Sequence, residues 1–374
     1  MATALIKPVG DRCNLACTHC YYRPGTGRPG MVMDENVLAA TVRAFLAEGV
    51  SPTVFAWQGG EPTLAGVEFY REALRLQMRF AGRGQRVINT LQTNGVLIDD
   101  EWARFLAANR FLVGVSIDGP GDAHDAVRRS PAGVGSHASA VRAWRLLRER
   151  GCEANVLCVV HGGNSHQPSR TYEYLTGELG AEYLQFIPYI ARPGSAARPA
   201  PGSYGSFLTE VFQLWAADSR SVSVRLLDDI VLFLAGKPMR DCMHRGCCDS
   251  HLVVESDGSV YPCDFCVDPE CRLGDMTTRP VHELAATSAA RMFRRRKRNE
   301  RPPDCSGCRH ADICQAGCCR FWGRDSEGRL RQKLCADTLF FLDRCRPTME
   351  QMAASIRRRW RETDRPTDTG GTDT

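Results

Sequence analysis

The segment "GDRCNLACTHCYYRPG" sets Cys13, Cys17 and Cys20 within eight residues, at the spacing C-x3-C-x2-C. Thiolates at that density are metal ligands before they are anything else. Three of them fall one short of a closed tetrahedral site. A structural zinc ion would need a fourth donor nearby, and His19 lies inside the loop as a candidate. A cubane iron–sulfur cluster held by three cysteines would instead keep one iron open for a small chelating molecule. The spacing is unusual for zinc words, and an aromatic residue follows directly.

Thirteen of the eighteen cysteines lie between Cys242 and Cys345. Their words are "DCMHRGCCDSHLVVESDGSVYPCDFC", "PPDCSGCRHADICQAGCCR" and "KLCADTLFF". The run C-x2-C-x5-C-x3-C from Cys305 to Cys318 is a strong metal signal, open to two zinc sites or to iron–sulfur clusters. Cys152 and Cys158 fall in or beside an apolar run and suit buried structural thiols. Cys266, Cys271 and Cys345 have no role in this reading.

Polar and glycine-rich words also end one apolar run after another: "GDRCN", "QGGEP", "QTNG", "SIDGP", "VVHGGN" and "FIPYI". They contain Gln58, Gly59, Gly60, Glu61, Asn94, Ser116 and Asp118, with Arg128 a little further on. Taken singly, each is an ordinary turn residue or an exposed arginine. What gives them weight is the array that carries them.

Six apolar runs, "TALIKPV", "TVFAWQ", "VINTLQT", "FLVGVSI", "ANVLCVV" and "EYLQFIP", alternate with amphipathic stretches such as "NVLAATVRAFLAEG" and "HASAVRAWRLLRERG". That alternation predicts parallel strands with helical crossovers, buried on both faces. Words at all six strand ends predict a curved array whose loops share one face, rather than an open sheet with one crevice. The fold class expected is α/β, a partial (β/α)6 TIM-like barrel followed by a small cysteine-rich domain. Its boundaries are 1–190 for the barrel, 191–240 for a linker and helices, 241–346 for the cysteine-rich domain, and 347–374 for a C-terminal helix and disordered tail.

The 374 residues are 43% hydrophobic and 24% charged, with a net charge of +5. That balance suits a globular enzyme and lacks the basic stripe of a nucleic-acid binder. The run "RRRKR" at 294–298 reads as a solvated helix face. No apolar stretch is long enough for a signal peptide or a membrane span, so a cytoplasmic protein with reduced thiols is expected, with no membrane or nucleic-acid partner.

The cysteine word followed by an aromatic residue resembles the radical S-adenosylmethionine (SAM) superfamily. In that superfamily the open iron of a 4Fe–4S cluster binds SAM, and reductive cleavage yields a 5′-deoxyadenosyl radical that abstracts a hydrogen atom. The resemblance makes Cys13, Cys17 and Cys20 the ligands of that cluster. It makes Gly59, Gly60 and Glu61 contacts of the SAM amino group, and Ser116 and Asp118 contacts of its ribose and carboxylate end. Tyr22, Gln58, Asn94 and Arg128 surround the same cofactor. The later cysteines resemble a SPASM domain with two auxiliary 4Fe–4S clusters. By that likeness Cys242, Cys248, Cys263 and Cys318 hold the first, and Cys305, Cys308, Cys314 and Cys335 hold the second. Family spacing alone separates Cys248 from Cys247 and Cys318 from Cys319.

Together "FAWQGGEPTLAG", "LQTNGVLID", "FLVGVSIDGP" and "VVESDGSVYPCDF" resemble the anaerobic sulfatase-maturating enzymes, which oxidise a Cys or Ser of a sulfatase to formylglycine. The resemblance implies a sulfatase partner with a C/S-x-P-x-R motif and a low-potential reductant such as a ferredoxin or flavodoxin. Asp264, directly after Cys263, then holds the place of the catalytic base. Two other readings remain open: a radical SAM–SPASM maturase that crosslinks or epimerises a ribosomal peptide, and a zinc-stabilised binding protein.

Overall fold

The computed structural model describes residues 2–22, 31–190 and 195–363. All six expected strands are present: β1 (Ala2–Ile6), β2 (Thr53–Trp57), β3 (Val87–Thr93), β4 (Leu112–Ser116), β5 (Glu153–Val160) and β6 (Tyr183–Pro188). Each pairs in parallel with the next. A two-residue strand, β7 (Ser223–Val224), extends the far edge in parallel with β6. The sheet does not stop at β1. From the cysteine-rich segment, β8 (Leu252–Val254) joins β1 in parallel, and β9 (Ser259–Tyr261) and β10 (Gly274–Asp275) add antiparallel strands beyond it. The result is a ten-stranded open sheet in the order β10-β9-β8-β1-β2-β3-β4-β5-β6-β7, so the array is not a closed barrel.

Strand alternation divides the side chains between two faces. Ala4, Ile6, Phe55, Trp57, Val113, Val115, Val156 and Cys158 belong to the main core. They pack with helices Glu35–Ala47, Val67–Phe80, Asp100–Ala108 and His137–Glu149. Tyr70 anchors this layer, its ring centroid 5.4 Å from those of Trp57 and Trp102. The first and third helices start where Asp34 and Asp99 accept hydrogen bonds from the Val37 and Trp102 amides, an N-cap worth about 1 kcal/mol each. The alternate positions turn inward, away from those helices. By strand phase Lys7 shares the face of Leu5, Gln58 that of Ala56, and Ser116 and Asp118 that of Gly114.

The cysteine-rich segment is built differently. Its strands β8–β10, with β11 (Trp322–Arg324) and β12 (Leu330–Gln332), run two or three residues each, and apart from helix Ser288–Asn299 the helical pieces between them are five residues or shorter. One disulfide joins Cys266 to Cys271, whose Cα atoms lie 6.0 Å apart across an exposed turn at Pro269. The reduced state expected of all cysteines does not hold for this pair. Cys152, Cys158 and Cys345 are buried thiols.

The final helix runs from Cys335 to Thr363 and includes Pro347, so it starts twelve residues before the expected C-terminal helix. It lies against helix Ser203–Ala217, where the Gly205 amide donates to Asp337 Oδ1 at 2.8 Å. The expected disordered tail falls mainly on residues 364–374, outside the described residues. Within "RRRKR", Lys297 departs from expectation: it is fully buried while Arg294, Arg295 and Arg298 are exposed.

Candidate active site

The ends of β1 and β2 lock the first cysteine loop in place. Gly60 N–H donates to Gly10 O at 2.9 Å and Glu61 N–H to Arg12 O at 2.8 Å. A Cβ on Gly60 would sit 1.9 Å from the Arg12 carbonyl oxygen, so only glycine fits there. The close approach that this glycine permits is to the chain's own cysteine loop. Glu61 is buried, and its carboxylate accepts from Thr63 N–H, Thr63 O–H, Thr93 O–H and Asn94 N–H at 2.6–3.1 Å. Burial pushes its pKa up, against those four hydrogen bonds. Its oxygens are thus committed to bracing the turn, leaving the neighbouring backbone as the part available to a ligand. The Asn94 side chain donates to Asn14 Oδ1 at 2.7 Å and reaches Cys13 Sγ at 3.8 Å, tying the end of β3 to the same loop.

Beyond the end of β4, Asp118 is fully buried and paired with Arg128 through two contacts of 2.6 and 3.2 Å. Val159 N–H adds a third hydrogen bond at 2.8 Å. Burial pushes the Asp118 carboxyl up, but the Arg128 guanidinium outweighs it and holds the pKa well below the usual carboxylate range. His19 Nε2 lies 3.7 Å from the same carboxylate, with its ring stacked on His161. Burial, then Arg128, lowers His19 to about 3, so it is a neutral imidazole turned toward Asp118. Ser116, half-buried, closes β4 two residues before Asp118.

A second charged centre joins the two halves of the sequence. Asp264 pairs with the fully buried Lys7 ammonium and accepts a hydrogen bond from Tyr21 O–H. Gln58 Nε2 approaches the same carboxylate at 3.5 Å. The Lys7 ammonium also sits 3.3 Å from the Tyr22 ring centroid, a cation–π contact. Tyr22 O–H donates to Glu255 at 2.6 Å. Burial is the first cause that raises both tyrosines well above 10, with Asp264 next for Tyr21 and Glu255 for Tyr22. Both therefore stay protonated donors.

Lys7, Tyr21 and Glu255 are absent from the sequence reading. The one available signal is a lysine at the end of an apolar strand, "ALIKP", in phase with the inward face. Nothing local tells that its partner lies more than 250 residues away.

The remaining thiols gather in sets. Cys13 sits close enough to Cys17 and Cys20 for their charges to interact, and burial first of all pushes it up to about 12. Cys263 faces Cys318 and Cys242 in the same way, and Cys318 faces Cys248. Cys314 faces Cys305, Cys335 and Cys308. Cys319 interacts with Cys248 and Cys318 as well, so five thiols gather around the first C-terminal position. Cys247 lies instead beside Asp249, Arg245 and Arg298, whereas Cys248 is hydrogen-bonded to Cys319. Thiols raised by burial hold their protons until a cation replaces them, which is the chemistry of a thiolate metal site. Three thiols in the first loop would leave one position open on a cubane cluster, and the thiols around Cys263 and around Cys314 are numerous enough for four-thiolate sites.

The radical SAM superfamily model matches residues 8–175, and an iron–sulfur cluster-binding domain, SPASM, matches residues 245–309. A cysteine-type anaerobic sulfatase-maturating enzyme of Clostridium perfringens is 35% identical over 368 residues, covering 94% of this chain and 98% of that protein. The chain belongs to the anaerobic sulfatase-maturating enzymes.

A serine-type anaerobic sulfatase-maturating enzyme of Klebsiella aerogenes is 34% identical over 323 residues, covering 84% of this chain and 78% of that protein. The solved structure of native anSMEcpe with bound AdoMet superimposes with a TM-score of 0.89 at 33% identity, covering 95% of this chain and all of that one. As an anaerobic sulfatase-maturating enzyme of the radical SAM type, the protein uses SAM and 4Fe–4S chemistry. Among the described residues no helix is long and apolar enough to cross a membrane.

Proposed function

We propose that this enzyme oxidises a Cys or Ser side chain of a sulfatase to formylglycine, with Asp264 as the base that takes the substrate's proton. The oxidation removes a hydrogen atom from the substrate Cβ, then a proton and a second electron; Ser gives the aldehyde directly, whereas Cys gives a thioaldehyde that water hydrolyses to the aldehyde with release of hydrogen sulfide. When bound at Cys13, Cys17 and Cys20, the cluster and SAM supply the radical that removes the hydrogen atom. The residues of the chain govern the proton. Lys7 provides the Asp264 carboxylate with a buried counter-charge, and Tyr21 O–H orients one oxygen. Gln58, at 3.5 Å, flanks the same oxygen from the end of β2. Tyr22 covers the Lys7 ammonium with its ring face and is itself fixed by Glu255. Neither tyrosine competes as a base, because both hold their protons far above neutrality.

One observation carries the reading: Asp264 directly follows Cys263, so the proton acceptor is covalently joined to a member of the first C-terminal thiol set. That set comprises Cys242, Cys248, Cys263 and Cys318. Cys305, Cys308, Cys314 and Cys335 form the second, which gives three clusters in all. Ligation by four thiolates suits electron transfer rather than substrate binding. For SAM, the backbone at Gly59–Glu61 and the polar groups of Asn94, Ser116 and the Asp118–Arg128 pair form the surrounding wall. The substrate is a sulfatase segment of the type C/S-x-P-x-R, and the electron donor is a low-potential ferredoxin or flavodoxin.

The test is anaerobic reconstitution with iron and sulfide, followed by SAM, a reductant and peptides carrying C-x-P-x-R or S-x-P-x-R. Mass spectrometry is expected to show the aldehyde; a crosslinked or thioether product would move the enzyme to the peptide maturases. Asp264→Asn is expected to keep SAM cleavage and lose aldehyde formation by about 10²–10⁴-fold, the usual contribution of a general base. Undiminished product from that variant removes Asp264 from the mechanism.

A further inference from the structure

Lys297 lies near the end of helix Ser288–Asn299, inside an otherwise solvated arginine run. It is 1% exposed, against an expectation that a lysine in such a run would point to water. Its ammonium donates to three backbone carbonyls: Cys242 O at 3.1 Å, Met243 O at 2.7 Å and Arg245 O at 2.7 Å. An ammonium has three donors, and all three are used on one turn. The same helix accepts a hydrogen bond from Cys248 N–H at its Arg294 carbonyl, 3.2 Å away. Two cysteines of the first C-terminal set are thus fastened by a single helix.

A buried cation is costly unless negative charge stands nearby. Carbonyl dipoles meet part of that need. Groups able to carry full negative charge that interact electrostatically with Lys297 include the thiols of Cys242, Cys248, Cys318 and Cys319. A cluster on four thiolates carries net negative charge, and its potential follows local charge, hydrogen bonding and burial. A fixed cation beside it favours the more reduced, more negative state.

We propose that Lys297 is a positioning residue for the first auxiliary cluster: it pins the Cys242–Arg245 turn and raises the cluster's reduction potential. This rests on the proposed assignment of Cys242, Cys248, Cys263 and Cys318 as ligands. Neither the family's base nor its SAM contacts are involved, and the charge acts through the cluster rather than on the substrate.

The experiment compares the reconstituted enzyme with Lys297→Gln and Lys297→Arg by iron and sulfide analysis and by an anaerobic redox titration followed by electron paramagnetic resonance. Lys297→Gln is expected to lower the midpoint potential of one cluster, shifting its one-electron equilibrium about tenfold or more, which is about 59 mV. Lys297→Arg keeps the charge and is expected to restore most of that shift. Loss of about one cluster's iron in the glutamine variant but not in the arginine variant equally supports the pinning role. Full iron content with an unchanged potential in Lys297→Gln overturns the proposal, as does an arginine variant that behaves like the glutamine one. The titration reads the cluster whether or not any peptide is oxidised, so its failure is distinguishable from failure of the formylglycine assay.

Discussion

The inward face of the parallel sheet and the cysteine-rich lobe solve the same problem, a buried charge, in opposite ways. In the sheet, charge meets charge: Lys7 pairs with Asp264, and Arg128 with Asp118. In the lobe, Lys297 is surrounded by backbone carbonyls and thiols. The cores differ in the same sense. Phe55, Trp57, Tyr70, Phe111 and Trp144 are buried behind the sheet, and each such side chain contributes roughly 1.5–3 kcal/mol. Residues 242–335 have strands of two or three residues, and apart from helix Ser288–Asn299 their helical pieces are five residues or shorter, too short to hold themselves. The sheet is therefore stabilised by apolar burial; the lobe shares that core only through residues such as Val254, Val260, Leu273 and Leu284, and its cysteine loops depend on what the thiols bind. The Asp264 carboxylate stands where these two regimes meet, since it comes from the lobe while Lys7 and Gln58 come from the sheet ends and Tyr21 from the first cysteine loop.

The sharpest way to break that contrast is to remove the iron. Chelation under mild oxidation is expected to expose residues 242–335 to protease while far-ultraviolet circular dichroism retains the helical signal of the sheet region. The lobe would lose stabilisation on the order of 10 kcal/mol, as small metal-held domains do. Equal protection of both regions after iron loss would erase the distinction.

A smaller effect should come from Gly60→Ala. Its methyl group would collide with the Arg12 carbonyl, so the β2 end must part from the first cysteine loop at a cost of roughly 3 kcal/mol. Iron analysis is expected to show loss of the N-terminal cluster with the lobe's clusters kept. An alanine variant with full iron and SAM cleavage would show that the loop tolerates displacement.

Smallest is a pH effect confined to the sheet. His124 is buried, accepting from Asp118 N–H at 3.2 Å and contacting Ser136 Oγ at 3.0 Å. Burial, above all, lowers its pKa to about 3; Asp118 opposes this, and Arg128, His137 and His161 add to it. The unfolded chain binds this proton near pH 6.5, the folded one far lower. Stability is thus complete above about pH 6.5 and declines as pH falls, by roughly 2 kcal/mol between pH 7 and pH 5. His124→Asn is expected to flatten that part of the slope in anaerobic thermal melts. An unchanged slope would assign it to the other histidines.

Much of this was legible in the sequence because it is local. Strand words, helix periodicity and the spacing of thiols within one loop are set by neighbours a few residues apart. The residues that escaped reading have distant partners. Lys297 sits in a run that composition alone makes a surface, and only the packing of its helix on the Cys242–Arg245 turn turns it inward. The close fit of Gly60 against the Arg12 carbonyl likewise joins two segments almost fifty residues apart. Strands β8–β10 carry too few residues to announce that they would extend the N-terminal sheet.

By itself, then, the sequence determined the six parallel strands, the three-thiol spacing of the first loop and the C-x2-C-x5-C-x3-C run of Cys305–Cys318. Hydrophobic period and ligand spacing are short-range properties, written within single segments. The tertiary structure alone decided that Lys7, Tyr21, Gln58 and Asp264 share one buried charged centre and that Lys297 stands beside the thiols of Cys242 and Cys318. Burying a charge is favourable only where its partner arrives at the same point in space, and that meeting is fixed by sheet order and helix packing rather than by any nearby residue.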